Sequence, residues 1–384
     1  MNLAFISPLR CHMFDLANEL LSDKKVKVEI FTTYPYWKLK SELLSKKYVS
    51  TFPWLMVPRL ALQRWHLLGP RLDNVLNWQV IESFDKYVAT KLTSIDILEG
   101  MSSFSLKSGQ KIKQLGGKFI IHHGSAHSIY QSQILAEEAK RWQIEYRESD
   151  PKIIEKALLE FELADAINLP SPYGRRTFIE QGINPNKIAV IPYGVNTTYF
   201  SPGNGPVPKD FQIIYAGQIS LRKGIPYLLQ AFNGFKHPNK KLLLVGEIWH
   251  DMKQILHQFD LTAVELVGRV TRSRLQELYQ SSQVMVLPSI DDGFGKVITE
   301  AMACGCPVIA SENTGAYGFL QNDYDGYVVP IRNSQAILEK LQILADCPEK
   351  HNQLASNALK TVQAIGGWKA YANDFYSLCE KILI

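Results

Sequence analysis

LPSIDDGFGKVITEAMACGCPVIAS, residues Leu287 to Ser311, reads as strand, glycine loop, helix, tight turn and strand. The apolar run at 284–287 ends at Pro288 and has the composition of a parallel strand buried on both faces. Asp291, Asp292, Gly293, Phe294 and Gly295 then carry the chain to a helix N-terminus. Free backbone N–H groups and a positive dipole end make that terminus a seat for phosphate. Asp292 stands just before the helix and Glu300 lies about one turn into it, so two carboxylates and several amides face one small polar ligand. Met302, Ala303 and Cys304 let the helix pack closely on a sheet, Gly305 supplies its stop, and 307–310 is the next strand. Acidic-glycine loops of this kind also occur in α/β proteins without a ligand, so the loop alone does not settle function.

The rest of the chain is consistent with a strand–helix repeat. With 384 residues, two domains are expected. Hydrophobic content of 46% and charged content of 21% fit a globular protein. A net charge of +5 suits an anionic substrate or an anionic membrane face and argues little for nucleic acid, which is not expected as a partner. Five cysteines without a Cys-x-x-Cys pair point to a reduced compartment and no structural metal. MNLAFISPLR reads as a first strand and lacks the layout of a signal peptide, and no apolar run approaches the roughly 20 residues of a bilayer span. The expected location is cytoplasmic, with peripheral contact on the inner face of a membrane as an added possibility.

Strand 2–7, helix 11–23 and strand 26–32 open a doubly wound sheet. The first turn, SPLRCHMFD, has no Gly-x-Gly-x-x-Gly, which argues against a dinucleotide dehydrogenase. Its His12 either points into the cleft or is a packed or exposed histidine. Residues 34–78 interleave Trp, Tyr, Pro, Lys and Arg, which suits a helical lobe with a solvated basic rim or an interfacial surface. A helix at 72–92 follows, then strands at 95–99, ending in Glu99, and 118–121. The second of these runs into His122-His123-Gly124-Ser125-Ala126-His127 at the carboxyl end of a parallel strand, where ligand crevices form. No carboxylate with ligand spacing accompanies the three histidines, so a polar wall is favoured over a metal. Residues 137–147 read as a solvated charged helix. A helix at 151–164 and strands at 165–171 and 187–192 complete this half. Residues 201–210, SPGNGPVPKD, form the linker.

The second half restarts with strand 211–216 and the loop Gly217-Gln218-Ile219-Ser220-Leu221-Arg222-Lys223-Gly224. Two cations beside a helix start can bind a diphosphate, Arg as a fork and Lys as a point charge, or can be solvated loop cations. Strands end at Gly246 and Gly268; Arg269 and Val270 follow the latter. A strand pair at 323–329 and three closing helices are expected.

In order, these motifs resemble the retaining GT-B glycosyltransferases of family 4. There an acid, Gly-Phe-Gly, four residues and Glu precede a small-residue helix and a Gly-x-Pro-Val-Ile-Ala strand. His-Gly-Ser-Ala-His, the run from Glu160 through Ala164-Asp165 to Pro170-Ser171, and Ile191-Pro-Tyr-Gly-Val-Asn196 fit the same pattern. The resemblance implies two facing Rossmann-like doubly wound parallel-sheet domains, an acceptor-binding domain at 1–202 and a nucleotide-sugar domain at 206–366, with helix 368–384 packing back on the first. It implies transfer of a sugar from a nucleotide-diphosphate sugar to an acceptor hydroxyl on a glycan, lipid-linked saccharide or small molecule, with retained configuration. Arg222 and Lys223 would hold the diphosphate, Asp292 the sugar hydroxyls and Glu300 the ribose, with His123 at the reaction centre. Gly217, Gln218, Gly246, Arg269, Val270, Gly293, Phe294, Gly295, Lys296 and Val297 would surround the donor, and His12, Glu99 and His127 the acceptor. No metal or cofactor is implied, since no Asp-x-Asp stands where a metal-bridged diphosphate needs one. This chain departs from the family pattern at Asp292, usually Glu, at Asn196, usually Asp, and at Gln218, often Arg; its first turn is also not glycine-rich. A sugar-nucleotide epimerase of the same fold class, or a non-catalytic sugar-nucleotide or membrane-surface binding module, are the rival readings.

Overall fold

A computed structural model describes residues 1–22, 26–39, 42, 44–65, 67–146, 150–203 and 210–384. Residues 204–209, the heart of the sequence-predicted linker, lie outside the described residues, as do Asp23, Arg147 and parts of the 34–78 stretch.

The first sheet contains β1 (Asn2–Ile6), β2 (Lys27–Thr32), β3 (Val49–Thr51), β4 (Ile97–Met101), β5 (Lys118–His122), β6 (Ala166–Leu169) and β7 (Ile188–Val190). The second contains β8 (Phe211–Ala216), β9 (Lys240–Val245), β10 (Val264–Gly268), β11 (Val284–Leu287), β12 (Val308–Ser311) and β13 (Tyr327–Val329). Their spatial orders are β3-β2-β1-β4-β5-β6-β7 and β10-β9-β8-β11-β12-β13, and every pair of neighbouring strands is parallel. Both are doubly wound sheets covered by helices, and the central strands are apolar and buried along their length because helices cover both faces. Strand order reverses between β1 and β4 and again between β8 and β11. Ligands of such sheets bind beyond the carboxyl ends of the strands at that reversal. The loops after β8 and β11 are the two stretches that carry Arg222, Lys223, Asp292 and Gly295.

Three local readings are corrected. The basic-aromatic stretch contains an edge strand, β3, before helices Met56–Arg64 and Pro70–Lys91. A single strand, β13, replaces the pair expected at 323–329; only an isolated bridge between Asn322 and Gly326 precedes it. The charged helix, Ser128–Arg141, is no solvated face throughout. Its Ile134 belongs to the core of the second sheet's domain, and its Glu138 is fully buried there, accepting from Tyr227 Oη at 2.6 Å and from Arg332 Nε at 2.7 Å. The charge run announced a helix at 137–147, whereas the helix ends at Arg141, and charge alone did not show which neighbours would neutralise Glu138. The terminal helix, Trp368–Leu383, buries Tyr371, Ala372, Phe375 and Cys379 in the core of the first domain, beside Phe5 and Phe14.

Candidate functional site

Main-chain contacts tie together the loops at the β8/β11 reversal. Gly224 has φ +67°, and a Cβ there would stand 1.9 Å from the Pro288 carbonyl oxygen, so only glycine lets the two loops meet this closely. The Arg222 carbonyl accepts from Ile290 N at 2.9 Å, which aligns the two cations with the two acids that follow. The 313–315 loop supports the other side: Asn313 O accepts from Asp292 N at 3.0 Å, and Gly315 N donates to Phe294 O at 3.1 Å.

Asp291 and Asp292 point to different partners. Asp291 is fully buried and accepts from Arg222 Nε at 2.9 Å, Gln131 Nε2 at 2.6 Å, Ser125 Oγ at 3.1 Å and Tyr173 Oη at 2.9 Å. Burial alone would raise its pKa, but Arg222 and these donors outweigh burial and hold the carboxyl below its ordinary 3.8. Asp292 pairs instead with Lys223 Nζ, and its other oxygen accepts from Gly295 N at 3.2 Å. Burial lowers the Lys223 pKa despite the pull of Asp292. Helix Lys296–Ala303 begins here, and its first two amides, on Lys296 and Val297, have no acceptor among the described residues. A cation, a carboxylate and two free amides thus meet at one helix start, an arrangement able to hold a phosphate and an adjoining hydroxyl. Arg222 differs from its sequence assignment. Its Nε is held by Asp291, and its Nη2 donates to Ser125 Oγ at 3.1 Å, so in this structure it ties the domains together.

Glu300 lines an adjoining cavity with Lys296, Thr299, Arg272, Asn196, Trp368 and Asp15, the last from the first domain. Burial raises the Glu300 pKa, with Lys296 and Arg272 opposing. Burial lowers that of Lys296, whose ammonium lies 5.0 Å from the Tyr193 ring and 5.3 Å from the Trp368 ring. The cavity measures about 90 Å³, small beside the roughly 300 Å³ or more of a ligand pocket. Gly246 and Arg269 line a separate, open pocket beyond β9 and β10, where Arg269 pairs with Glu247 at the surface. Gln218 is exposed at the loop tip, and Val270 is half-buried. Phe294 is buried across the cleft against Tyr193, with ring centroids 5.0 Å apart.

The acceptor-side residues divide into two groups. His12 and Glu99 come together with His122, Asn168, Tyr193 and Tyr371 in a buried polar cluster at the ends of β4, β5 and β6. His12 lies 4.2 Å from His122 and 4.4 Å from Tyr193, centroid to centroid. His122 Nε2 pairs with Tyr193 Oη at 2.7 Å, and Asn168 Nδ2 donates to Glu99 Oε1 at 2.9 Å. Burial pushes the Glu99 carboxyl up to about 8 and the His122 imidazole down to about 3, so both are neutral near pH 7. His127 is corrected: it is buried against Phe161 and Phe178, away from this cluster. His123 packs on the same two rings. Both its ring nitrogens are engaged, Nδ1 by Ser102 Oγ at 2.6 Å and Nε2 by Ala126 O at 2.8 Å. Its imidazole therefore shapes the 123–127 loop and is not available to a substrate proton in this conformation.

Sequence reasoning missed Asp291, Ser125, Gln131, Tyr173 and Tyr193 as parts of the site. The tandem Asp291-Asp292 was a usable signal, since two adjacent acids on a loop cannot both share one helix start. Ser125 and Tyr193 lay inside motifs the sequence showed but without a sign that their side chains reach the site, and Gln131 and Tyr173 carry no local pattern. Among the described residues, no group of three His, Cys, Asp or Glu side chains is placed to hold a metal ion.

A family model described as Glycosyl transferases group 1 matches residues 199–361. A probable sucrose-phosphate synthase from Thermosipho melanesiensis is 23% identical over 331 residues, covering 83% of this chain and 75% of the relative. A D-inositol 3-phosphate glycosyltransferase from Xylanimonas cellulosilytica is 28% identical over 225 residues, covering 52% of this chain and 53% of its own. Among solved structures, the sucrose-phosphate synthase of Thermosynechococcus elongatus superposes with a TM-score of 0.72 at 20% identity, covering 99% of this chain and 98% of the other. Anabaena HepE in complex with UDP-glucose does so with a TM-score of 0.71 at 16% identity, covering 99% and 100%. At these identities the structural likenesses show the fold, a two-domain GT-B architecture.

Proposed function

We propose, from the match of the Glycosyl transferases group 1 model to residues 199–361, that the chain moves a sugar from a nucleotide-diphosphate sugar to an acceptor hydroxyl with retained configuration. The supporting observation is the pairing of Lys223 with Asp292 beside the free amides of Lys296 and Val297. In the reaction, the bond between the anomeric carbon and the diphosphate oxygen breaks while a bond to the acceptor oxygen forms on the same face. The acceptor proton passes to the departing phosphate oxygen. Negative charge grows on the diphosphate, and Lys223 with the two amides stabilises it more in the transition state than in the ground state. As Lys223 turns to the diphosphate, Asp292 is released to accept from sugar hydroxyls. Glu300, with its pKa raised by burial, faces the ribose across the cavity it shares with Thr299. Arg222 acts by positioning, through Asp291. His12 and Glu99 lie beneath the acceptor side and hold Tyr193 and His122 in place. The chemistry makes no call on a metal ion, because Lys223 and the helix start supply the positive charge.

The test is a thermal-shift titration with UDP-glucose first, the ligand held in the HepE structure, then GDP- and ADP-sugars. A ligand bound only by the native state raises the melting temperature, by about 2.7 kcal/mol of stability at a hundredfold excess over Kd. A rise with one sugar nucleotide that Glu300→Gln diminishes supports the assignment. No rise with any of them removes it.

A further inference from the structure

We propose that the face carrying Trp37, Lys38, Trp54, Arg64, Trp65 and Arg71 docks the protein onto an anionic lipid bilayer. Three independent features meet there. Of the nineteen large apolar side chains exposed among the described residues, eight fall in this stretch, led by Trp54 at 74%, Trp65 at 68% and Leu67 at 64% exposure. Such a concentration on a water-facing lobe marks an interaction surface. Charge is concentrated with it. Residues 34–78 hold seven Lys and Arg against Glu42 and Asp73, a net +5, which is the net charge of the whole chain, so the remainder is balanced. Lys38, Arg64 and Arg71 are exposed and have no carboxylate partner among the described residues.

The surface is also preformed. Arg59 Nε donates to Asp73 Oδ1 at 2.8 Å, and Gln63 Nε2 donates to the same carboxylate at 2.8 Å, clamping helix Met56–Arg64 onto helix Pro70–Lys91. Trp37 follows β2 and Trp54 follows β3, so both stand at the carboxyl ends of the strands, the end at which the cleft lies.

Tryptophan with interleaved Lys and Arg is the composition of the membrane–water boundary, where rings sit at headgroup level and cations reach the lipid phosphates. A second copy of this chain fits poorly, since two such faces would bring positive charge against positive charge. No helix among the described residues is long and apolar enough to cross a membrane. Contact through these side chains alone is therefore peripheral. On the transferase reading, docking sets the cleft beside the bilayer, and the acceptor hydroxyl is one carried at that surface.

The experiment is co-sedimentation of the full chain with vesicles of phosphatidylcholine alone and of phosphatidylcholine with phosphatidylglycerol. The wild type is expected to sediment with the anionic vesicles and to be released by added salt. Arg64→Ser and Arg71→Ser should each lower the partition coefficient about fivefold. The pair Trp54→Ser and Trp65→Ser should lower it by about tenfold or more. Unchanged ligand-free melting temperatures show that these exposed substitutions leave the fold intact. The proposal is overturned if the wild type stays in solution with both vesicle types, binds neutral vesicles equally well, or binds no better than the variants. It is also overturned if the tryptophans prove to hold a dimer together without vesicle binding. Sugar-nucleotide thermal shifts are measured without vesicles, so failure of the transferase reading would be seen separately.

Discussion

Asp291 holds Arg222 in the interior, whereas the next residue, Asp292, lies at the helix start beside Lys223. On the proposed function, this division of labour leaves Lys223, rather than Arg222, to meet the diphosphate. Lys223→Ala should lower the rate of donor consumption about a hundredfold or more, as loss of one preorganised donor to a developing anion does; a rate within a few-fold of wild type would remove Lys223 from the mechanism. Glu99 makes a second residue-scale prediction. Its folded pKa of about 8 lies above its ordinary 4.5 because burial disfavours the carboxylate. Between those values the native state holds a proton that the unfolded chain releases, so stability is full below 4.5 and falls as pH rises towards about 8. Glu99→Gln keeps the neutral shape and should remove Glu99's share of that loss. Urea melts across the interval check this, and parallel slopes for variant and wild type would contradict it. Glu160, also raised to about 8, contributes in the same window and remains in both proteins.

At the scale of elements, two loops and one helix start form the site because parallel strands deliver successive loops to one end of a sheet. The β8 and β11 loops approach closely enough for their main-chain contacts because Gly224 has no Cβ to meet the Pro288 carbonyl. Gly224→Ala puts a methyl where the Pro288 carbonyl stands and asks for a left-handed alanine. It should destabilise the protein by about 1–3 kcal/mol and, by parting Lys223 from Asp292, abolish the sugar-nucleotide thermal shift. Normal stability with a normal shift would show that the two loops are independent. The order of elements was legible in the sequence: VMVL, FQIIYA and VIAS could be little but buried parallel strands, and the glycine loop between two of them announced a ligand-facing helix start. The three-residue β3 was not legible, because an edge strand that short leaves no alternation among Trp, Pro and Lys.

Across the whole molecule, the two lobes are in contact where a substrate would lie. Ser171 Oγ donates to Gly293 O at 2.5 Å, and a Cβ on Gly293 would stand 2.0 Å from the Gly124 carbonyl oxygen. The cavity beside Glu300 measures about 90 Å³, so on the transferase reading the lobes part to admit the donor there, and binding and opening are linked. Gly293→Ala wedges the lobes apart from a position outside either sheet. Small-angle scattering should show a larger radius of gyration than wild type, turnover should fall, and the protein should still melt cooperatively. An unchanged radius with full turnover would mean that this closed contact is not used.

Repeated apolar strands, the turns that end them and the acid-glycine helix start are local, so the sequence by itself determined a doubly wound two-domain chain with its charged groups at the strand ends. Which of two adjacent acids faces Lys223, which histidines sink into the core and which charged helix packs onto the second sheet's core were decided only by tertiary structure. A side chain's partner depends on residues far away in the chain, as Asp291 depends on Gln131 and Tyr173. Burial and pairing energies of that kind have no period in the sequence to betray them.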